Sequence, residues 1–175
     1  MRGAVAGLVT MMVGCLLFIP ASQMAAYPLF LGALFVLASG VVIACSYITV
    51  RNVTAMHAAN DGFNIHGNRV GIRLENVKAL SNGDEGISAH ETVQMDVLDS
   101  EIAWNGSAAG GVADVNDSVT TYTNCELHHN VNAAFLFDGK SHRVTNCVIH
   151  HQDKDIVVRG EGVTVEQSGN VWRKE

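Results

Sequence analysis

The chain has 175 residues, enough for one domain of ordinary size, with 17 acids against 11 Lys and Arg and a net charge of −6. An acidic chain without a basic stripe argues against nucleic acid as a partner, and acidic sugars would also be repelled unless a metal bridged them. All the acids lie beyond residue 60, and Arg2 is the only base before Arg51, so the charge pattern itself divides the chain.

Residues 1–46 read as an apolar signal or membrane-anchor segment. "AVAGLVTMMVGCLLFI" follows Arg2 and ends at Pro20, in the manner of the h-region of a secretory signal. A second run, "YPLFLGALFVLASGVVIAC" (27–45), is long enough to cross a bilayer. Its "VIAC" fits a lipoprotein cleavage box ending at Cys45. Helix is expected over 4–19 and 27–44, with export, a surface location and membrane contact through this segment. The alternative is that residues 40–50 already begin the soluble domain.

Residues 47–175 repeat themselves. Gly62, Gly86, Gly110 and Ala134 are spaced 24 apart, and "GFNIH" (62–66) matches "GISAH" (86–90). Apolar residues alternate after each anchor, the period of a half-buried strand. A second pattern recurs in "YITVRNVTA", "GIRLENVKA", "VQMDVLDSE", "TTYTNCEL" and "HRVTNCVI". Each holds a turn residue, Asn52, Asn76, Asp99, Asn124 or Asn146, suited to the left-handed backbone of a sharp bend. The region is rich in Val, Ile, Thr, Asn and Gly and lacks a sustained 3.6-residue period, so helix is a poor reading. Short strands recurring every 22–25 residues, about three per turn, describe an all-β parallel solenoid of about five coils. Phe63, Ile65, Ile87, Ala89, Phe135 and Phe137 are expected to face inward.

The Asn turns, the "NGDEGI" phrase and the coil length resemble right-handed parallel β-helix repeat proteins of the pectate-lyase-like superfamily, over roughly residues 41–172. The resemblance implies the fold and a role with polysaccharides. The Asp-pair and Gly-His-Gly motifs of its polygalacturonases are absent, as is the basic cluster of its pectate lyases. Five coils is also short for that superfamily, which leaves open that the chain is a piece of a longer solenoid.

The repeated histidine suggests a site. Counting from the anchors places His66, His90, Asp114 and Asp138 in one outward column, about 4.8 Å apart from rung to rung. Two imidazoles and a carboxylate could converge on a divalent metal such as Zn²⁺, or Asp114 could orient His90 for proton transfer. Asp61 aligns with Glu85, and Asn60 with Asp84. These carboxylates could hold Ca²⁺ or act as an acid and base on a glycosidic bond. The bland reading of both groups is turn residues and a solvated face. "HH" occurs at His128–His129 and His150–His151, one coil apart. Cys125 and Cys147 both follow "TN" and should be neighbours, either bridged or as buried thiols. Two functions remain: an exported module binding polysaccharide or another surface component, and a polysaccharide lyase or glycoside hydrolase.

Overall fold

The computed structural model describes residues 39–106 and 108–173. These residues wind into six rungs of three short strands. Rung 1 comprises β1 (Val41–Ile43), β2 (Thr49–Arg51) and β3 (Thr54–Met56). Rung 2 comprises β4 (Phe63–His66), β5 (Arg69–Glu75) and β6 (Lys78–Leu80). Rung 3 comprises β7 (Ile87–His90), β8 (Val93–Leu98) and β9 (Glu101–Ala103). Rung 4 comprises β10 (Val112–Val115), β11 (Val119–Thr123) and β12 (Glu126–His128). Rung 5 comprises β13 (Ala133–Asp138), β14 (Ser141–Thr145) and β15 (Val148–His150). Rung 6 comprises β16 (Lys154–Val158), β17 (Thr164–Ser168) and β18 (Val171–Arg173).

Equivalent strands of successive rungs pair in parallel, giving three six-stranded sheets. Sheet A holds β1, β4, β7, β10, β13 and β16; the second strands of the rungs make sheet B, and the third strands sheet C. The sequence led to about five coils, and there are six. The extra coil begins with β1, whose Val41 and Ile43 pair with Phe63 and Ile65 and whose Ile43 side chain is buried. The solenoid therefore starts inside the segment read as residues 1–46. The tail of the expected 27–44 helix is a strand, because Val41 and Ile43 continue the period-2 pattern of the rung beside them. Cys45 of the supposed lipoprotein box is exposed. The rest of the expected signal or anchor lies outside the described residues. Among the described residues no helix is long and apolar enough to cross a membrane.

The core is a set of inward columns. Phe63, Ile87, Val112 and Phe135 stack in sheet A, Leu74, Val97, Tyr122 and Val144 in sheet B, and Ala79, Ile102, Leu127 and Ile149 in sheet C, all fully buried. All six residues expected to face inward do so. Each large side chain in such a column contributes about 1.5–3 kcal/mol by leaving water.

The bend between sheets B and C falls on the expected turn residues. Asn52, Asn76, Asp99, Asn124 and Asn146 have φ of 57°, 49°, 50°, 55° and 54°. Asn76 Nδ2 donates to Asn52 Oδ1 at 2.7 Å, and Asn124 Nδ2 to Asp99 Oδ1 at 3.0 Å.

A second column, inside the bend between sheets C and A, was not foreseen. Asn82 Nδ2 donates to Asn105 Oδ1, and Asn105 Nδ2 to Asn130 Oδ1, each at 2.9 Å. Each carboxamide oxygen also accepts a backbone N–H from the rung before: Ala58 to Asn82, Asn82 to Asn105, and Asn105 to Asn130, all at 3.1 Å. All three side chains are buried, and each is satisfied as buried polar groups must be.

This column explains the anchor glycines. A Cβ on Gly62 would lie 2.6 Å from Asn82 Nδ2, one on Gly86 2.6 Å from Asn105 Nδ2, and one on Gly111 2.7 Å from Asn130 Nδ2. The glycines leave room for the amides. The third anchor is accordingly Gly111 rather than Gly110, and Gly110 takes up the extra residue at φ 135°.

Candidate functional site

The chain enters sheet A through short loops that end at the anchor glycines. On rungs 2 and 3 those loops place Asp61 directly before Gly62, and Asp84 with Glu85 directly before Gly86. Stacking brings the two loops together: Gly62 N donates to Glu85 O at 2.9 Å, and Asp84 N to Asn60 O at 3.3 Å. One carboxylate oxygen each from Asp61, Asp84 and Glu85 lie within 4.8 Å of one another.

Asp61 is the buried member, 3% exposed. Burial, together with the neighbouring Glu85 and Asp84 carboxylates, pushes its pKa up to about 8, and Asn64 only partly offsets this. Asn64 Nδ2 donates to Asp61 Oδ2. Asp61 Oδ1 and Asn64 Oδ1 are buried and receive no donor from the protein. The Asp61 and Glu85 carboxyls bond to each other only while one of them keeps a proton; once both ionise, a cation must stand in for it. Oxygen-only ligands on two loops suit a hard ion such as Ca²⁺.

Beside this cluster, His66 and His90 pair in register at the ends of β4 and β7. Their rings stack with centroids 4.4 Å apart and 3° between planes. The outward direction expected for them is observed, with His66 exposed and His90 half-buried. His90 Nε2 lies 2.6 Å from Ser88 Oγ, on the same face of the strand. Burial and then the His66 charge lower the His90 pKa, while Glu91 and Asp84 act the other way.

Asp114 does not belong to this column. It pairs in register with Ala89 and Phe137, and it is fully buried. The additional residue at Gly110–Gly111 turns its side chain into the core, since a one-residue slip exchanges the two faces of a strand. Val115 takes the outward position instead and pairs with Asp138, so the column runs His66, His90, Val115, Asp138. A metal held by His66, His90 and Asp114 together, or an Asp114–His90 proton relay, is therefore excluded by the register.

Inside the core Asp114 meets polar residues that no motif had singled out. Thr120 Oγ1 donates to Asp114 Oδ2 at 2.7 Å, and Tyr122 OH to the same oxygen at 2.9 Å. Burial pushes Asp114 up to about 7, against the lowering effect of these two hydroxyls. His142, next to Thr120 in sheet B, stacks on Phe137 at 4.2 Å, and burial holds its pKa down to about 4. The signal that could have found this network was three polar residues, Thr120, His142 and Asp114, at inward phases of adjacent strands.

A shallow depression of about 290 Å³ follows the bend between sheets B and C and is lined by Asn76, Lys78, Asp99, Glu101, Asn124 and Glu126. It shares no residue with Asp61, Asp84 or Glu85.

Comparison with known proteins agrees with the rung geometry. The model of the right-handed β-helix region matches residues 39–173. A 53-residue stretch is 57% identical to proteins named glucose/galactose transporter from two strains of Brucella abortus, 9-941 (biovar 1) and 2308. That stretch is 28% of this chain and spans only 13% of the length of those relatives. No solved structure is significantly similar. With three parallel sheets, six rungs and a family match across almost all the described residues, the chain belongs to the right-handed β-helix family.

Proposed function

We propose that the protein is an exported or surface-anchored module that binds polysaccharide through a divalent cation held at Asp61, Asp84, Glu85 and Asn64. One observation carries the reading: a buried carboxyl whose Oδ1 has no protein donor, with two further carboxylates within 4.8 Å. A cation there would relieve the repulsion among three acids and offer open coordination positions to sugar hydroxyls or uronate oxygens. His66 and His90 beside it could add hydrogen bonds to the same chain of sugars. The shallow surface fits an extended polymer better than a small ligand. The apolar run of residues 4–19, and the part of the second run that precedes the first strand, support export.

Calorimetric titration of the chelator-treated full chain tests this. Ca²⁺ should bind at one site and raise the melting temperature, as a ligand of the folded state does. Asp61→Asn should remove both effects. A glycan array should then give hits that vanish with chelator and with Asp61→Asn. Ca²⁺ uptake that is absent, or indifferent to Asp61→Asn, overturns the reading.

The raised Asp61 pKa favours a second reading, a glycoside hydrolase. A carboxyl that keeps its proton to about 8 beside a second carboxylate is the arrangement of a general acid and its partner. Product analysis on neutral and uronic-acid polysaccharides, without added metal, separates the two: release of reducing ends that Asp61→Asn abolishes would favour the enzyme.

A further inference from the structure

Four imidazoles gather on the outer side of sheet C and its bend, on rungs 4 and 5. His128 and His150 end β12 and β15 and pair in register. Their rings stack with centroids 4.8 Å apart and 10° between planes. His129 and His151 follow in the bend, at φ 54° and 52°, and stack at 4.4 Å and 12°. Trp104 occupies the same bend position one rung earlier, at φ 56°, and lies over His129 at 5.5 Å. The four rings form a two-by-two block closed on one side by an indole.

Within each rung the two imidazoles touch through one nitrogen. His128 Nδ1 lies 2.9 Å from His129 Nδ1, and His150 Nδ1 lies 2.6 Å from His151 Nδ1. The other nitrogen of each inner ring meets a carboxylate. His150 Nε2 is 3.0 Å from Glu126 Oε1, and His128 Nε2 is 3.5 Å from Glu101 Oε1. Glu101 is also engaged by Lys78 at 2.5 Å, which leaves Glu126 as the carboxylate nearer to free. One ligand atom each from Glu126, His128 and His150 lie within 4.8 Å of one another.

We propose that Glu126, His128 and His150 bind a first-row transition ion of the Zn²⁺ type, with His129 and His151 as positioning residues. Two imidazole nitrogens and one carboxylate oxygen are the donor set of a three-ligand zinc site whose fourth position is open. Nitrogen donors distinguish it from the oxygen-only cluster at Asp61. A ligand imidazole needs its remote nitrogen tied, so that the ring is held and the proton sits away from the metal. Here each Nδ1 is tied by the next ring in sequence. With the proton on Nδ1 of His128 and His150, donated to His129 and His151, both Nε2 lone pairs are left for the ion, that of His150 beside Glu126 Oε1 and that of His128 beside Glu101 Oε1. The block is confined to two rungs, because Ala103 and Arg173 take the corresponding positions on either side. None of these residues takes part in the Ca²⁺ reading.

Titration of the chelator-treated full chain with Zn²⁺ alone, followed by calorimetry, and with Co²⁺, followed by visible absorption, tests the site. The wild type should take up one ion per chain. His150→Ala and Glu126→Gln, both at incompletely buried positions, should each weaken uptake at least about tenfold at unchanged circular dichroism. His129→Ala should weaken it by about 10–100-fold, and His129→Asn, which keeps an acceptor and tolerates the left-handed backbone, should restore much of the loss. The pair His66→Ala, His90→Ala and the single change Asp61→Asn should leave Zn²⁺ uptake intact, so failure here is distinguishable from failure of the Ca²⁺ site. No one-to-one uptake by the wild type, uptake that survives His150→Ala with Glu126→Gln, or uptake lost with His66 and His90 instead would overturn the proposal.

Discussion

His142 Nδ1 lies 2.8 Å from Thr120 Oγ1, and the proton in that contact belongs to the ring, because the hydroxyl gives its own to Asp114. The chain of donors therefore runs from His142 through Thr120 to Asp114 Oδ2, which Tyr122 also reaches. Asp114 Oδ1 has no donor, which makes it the place for the proton retained up to about 7.

That proton links stability to pH. Asp114 has a folded pKa above its unfolded value, so its contribution is full below about 4 and is lost as pH rises to about 7. His142 has a folded pKa below its unfolded value, so its contribution is full above 6.5 and is lost as pH falls to about 4. Between about 4 and 6.5 the two slopes oppose. Asp114→Asn isolates one of them, since its amide can fill the place of the proton while its oxygen still accepts from Thr120 and Tyr122. Urea unfolding without divalent ions should show the variant gaining on the wild type as pH rises, by up to roughly 4 kcal/mol between pH 4 and 7. A difference that does not change with pH would show that Asp114 ionises freely.

Phe135 is fully buried and meets Tyr122 edge-on at 5.0 Å. Phe135→Ala should cost about 3–5 kcal/mol in the same unfolding assay. A cost under about 1 kcal/mol would mean that the column at this rung collapses without penalty.

The two Asn columns should differ sharply in weight. Asn105→Ala removes the acceptor of Asn82 N, leaving that buried donor unpaired, and one of the two acceptors of Asn82 Nδ2, which keeps Ala55 O at 3.3 Å. At about 1–3 kcal/mol for the unsatisfied group, a loss of at least that size is expected. Asn76→Gly, in the exposed column, loses one bond to Asn52 and keeps a residue at ease at φ 49°, so its cost should stay below about 1 kcal/mol. Equal losses at the two sites would contradict the assignment of one column to the core.

Cys125 and Cys147 are neighbours, as the paired "TNC" implied, and they are free and buried. Cys125 N donates to Cys147 Sγ at 3.4 Å, so the thiol serves as an acceptor in a column that continues with Asn170. The Cys147 thiol and then burial hold the Cys125 pKa well up, and the Cys125 thiol lowers that of Cys147, so it is burial that keeps both from reagents. With Cys15 and Cys45 changed to Ser, a thiol reagent should find no reactive group until the chain is unfolded, and then two.

The period of 24 made the fold legible, because Gly, Asn and alternating apolar residues recur in phase and each has one mechanical duty. The acidic cluster was legible for the same reason: Asp61 and Glu85 both precede an anchor glycine. Asp114 was misplaced because Gly110 and Gly111 are alike as letters. Only the neighbouring Asn130 amide decides which of them must lack a side chain. The partners Thr120, Tyr122 and His142 lie on another sheet: polar residues at inward phases mark Thr120 and His142 as buried, but the pattern along a strand does not say which residue each meets across the core. The Asn82, Asn105 and Asn130 column was visible in spacing, yet surface turns use the same residue.

In that column every carboxamide oxygen accepts from the preceding rung, and the Asn82 and Asn105 nitrogens each reach the amide oxygen of the following one. A row of aligned dipoles has a sense of direction, like a zipper that closes from one end only. Reversing the middle amide, Asn105, would set oxygen against oxygen toward Asn130 and nitrogen against nitrogen toward Asn82. A rung copied and inserted between Gly86 and Gly111 would have to arrive with an Asn in the same orientation, or the row would break at both of its joints. Lengthening this protein is thus permitted in whole rungs of one polarity, and the amides act as the gauge that rejects any other insert.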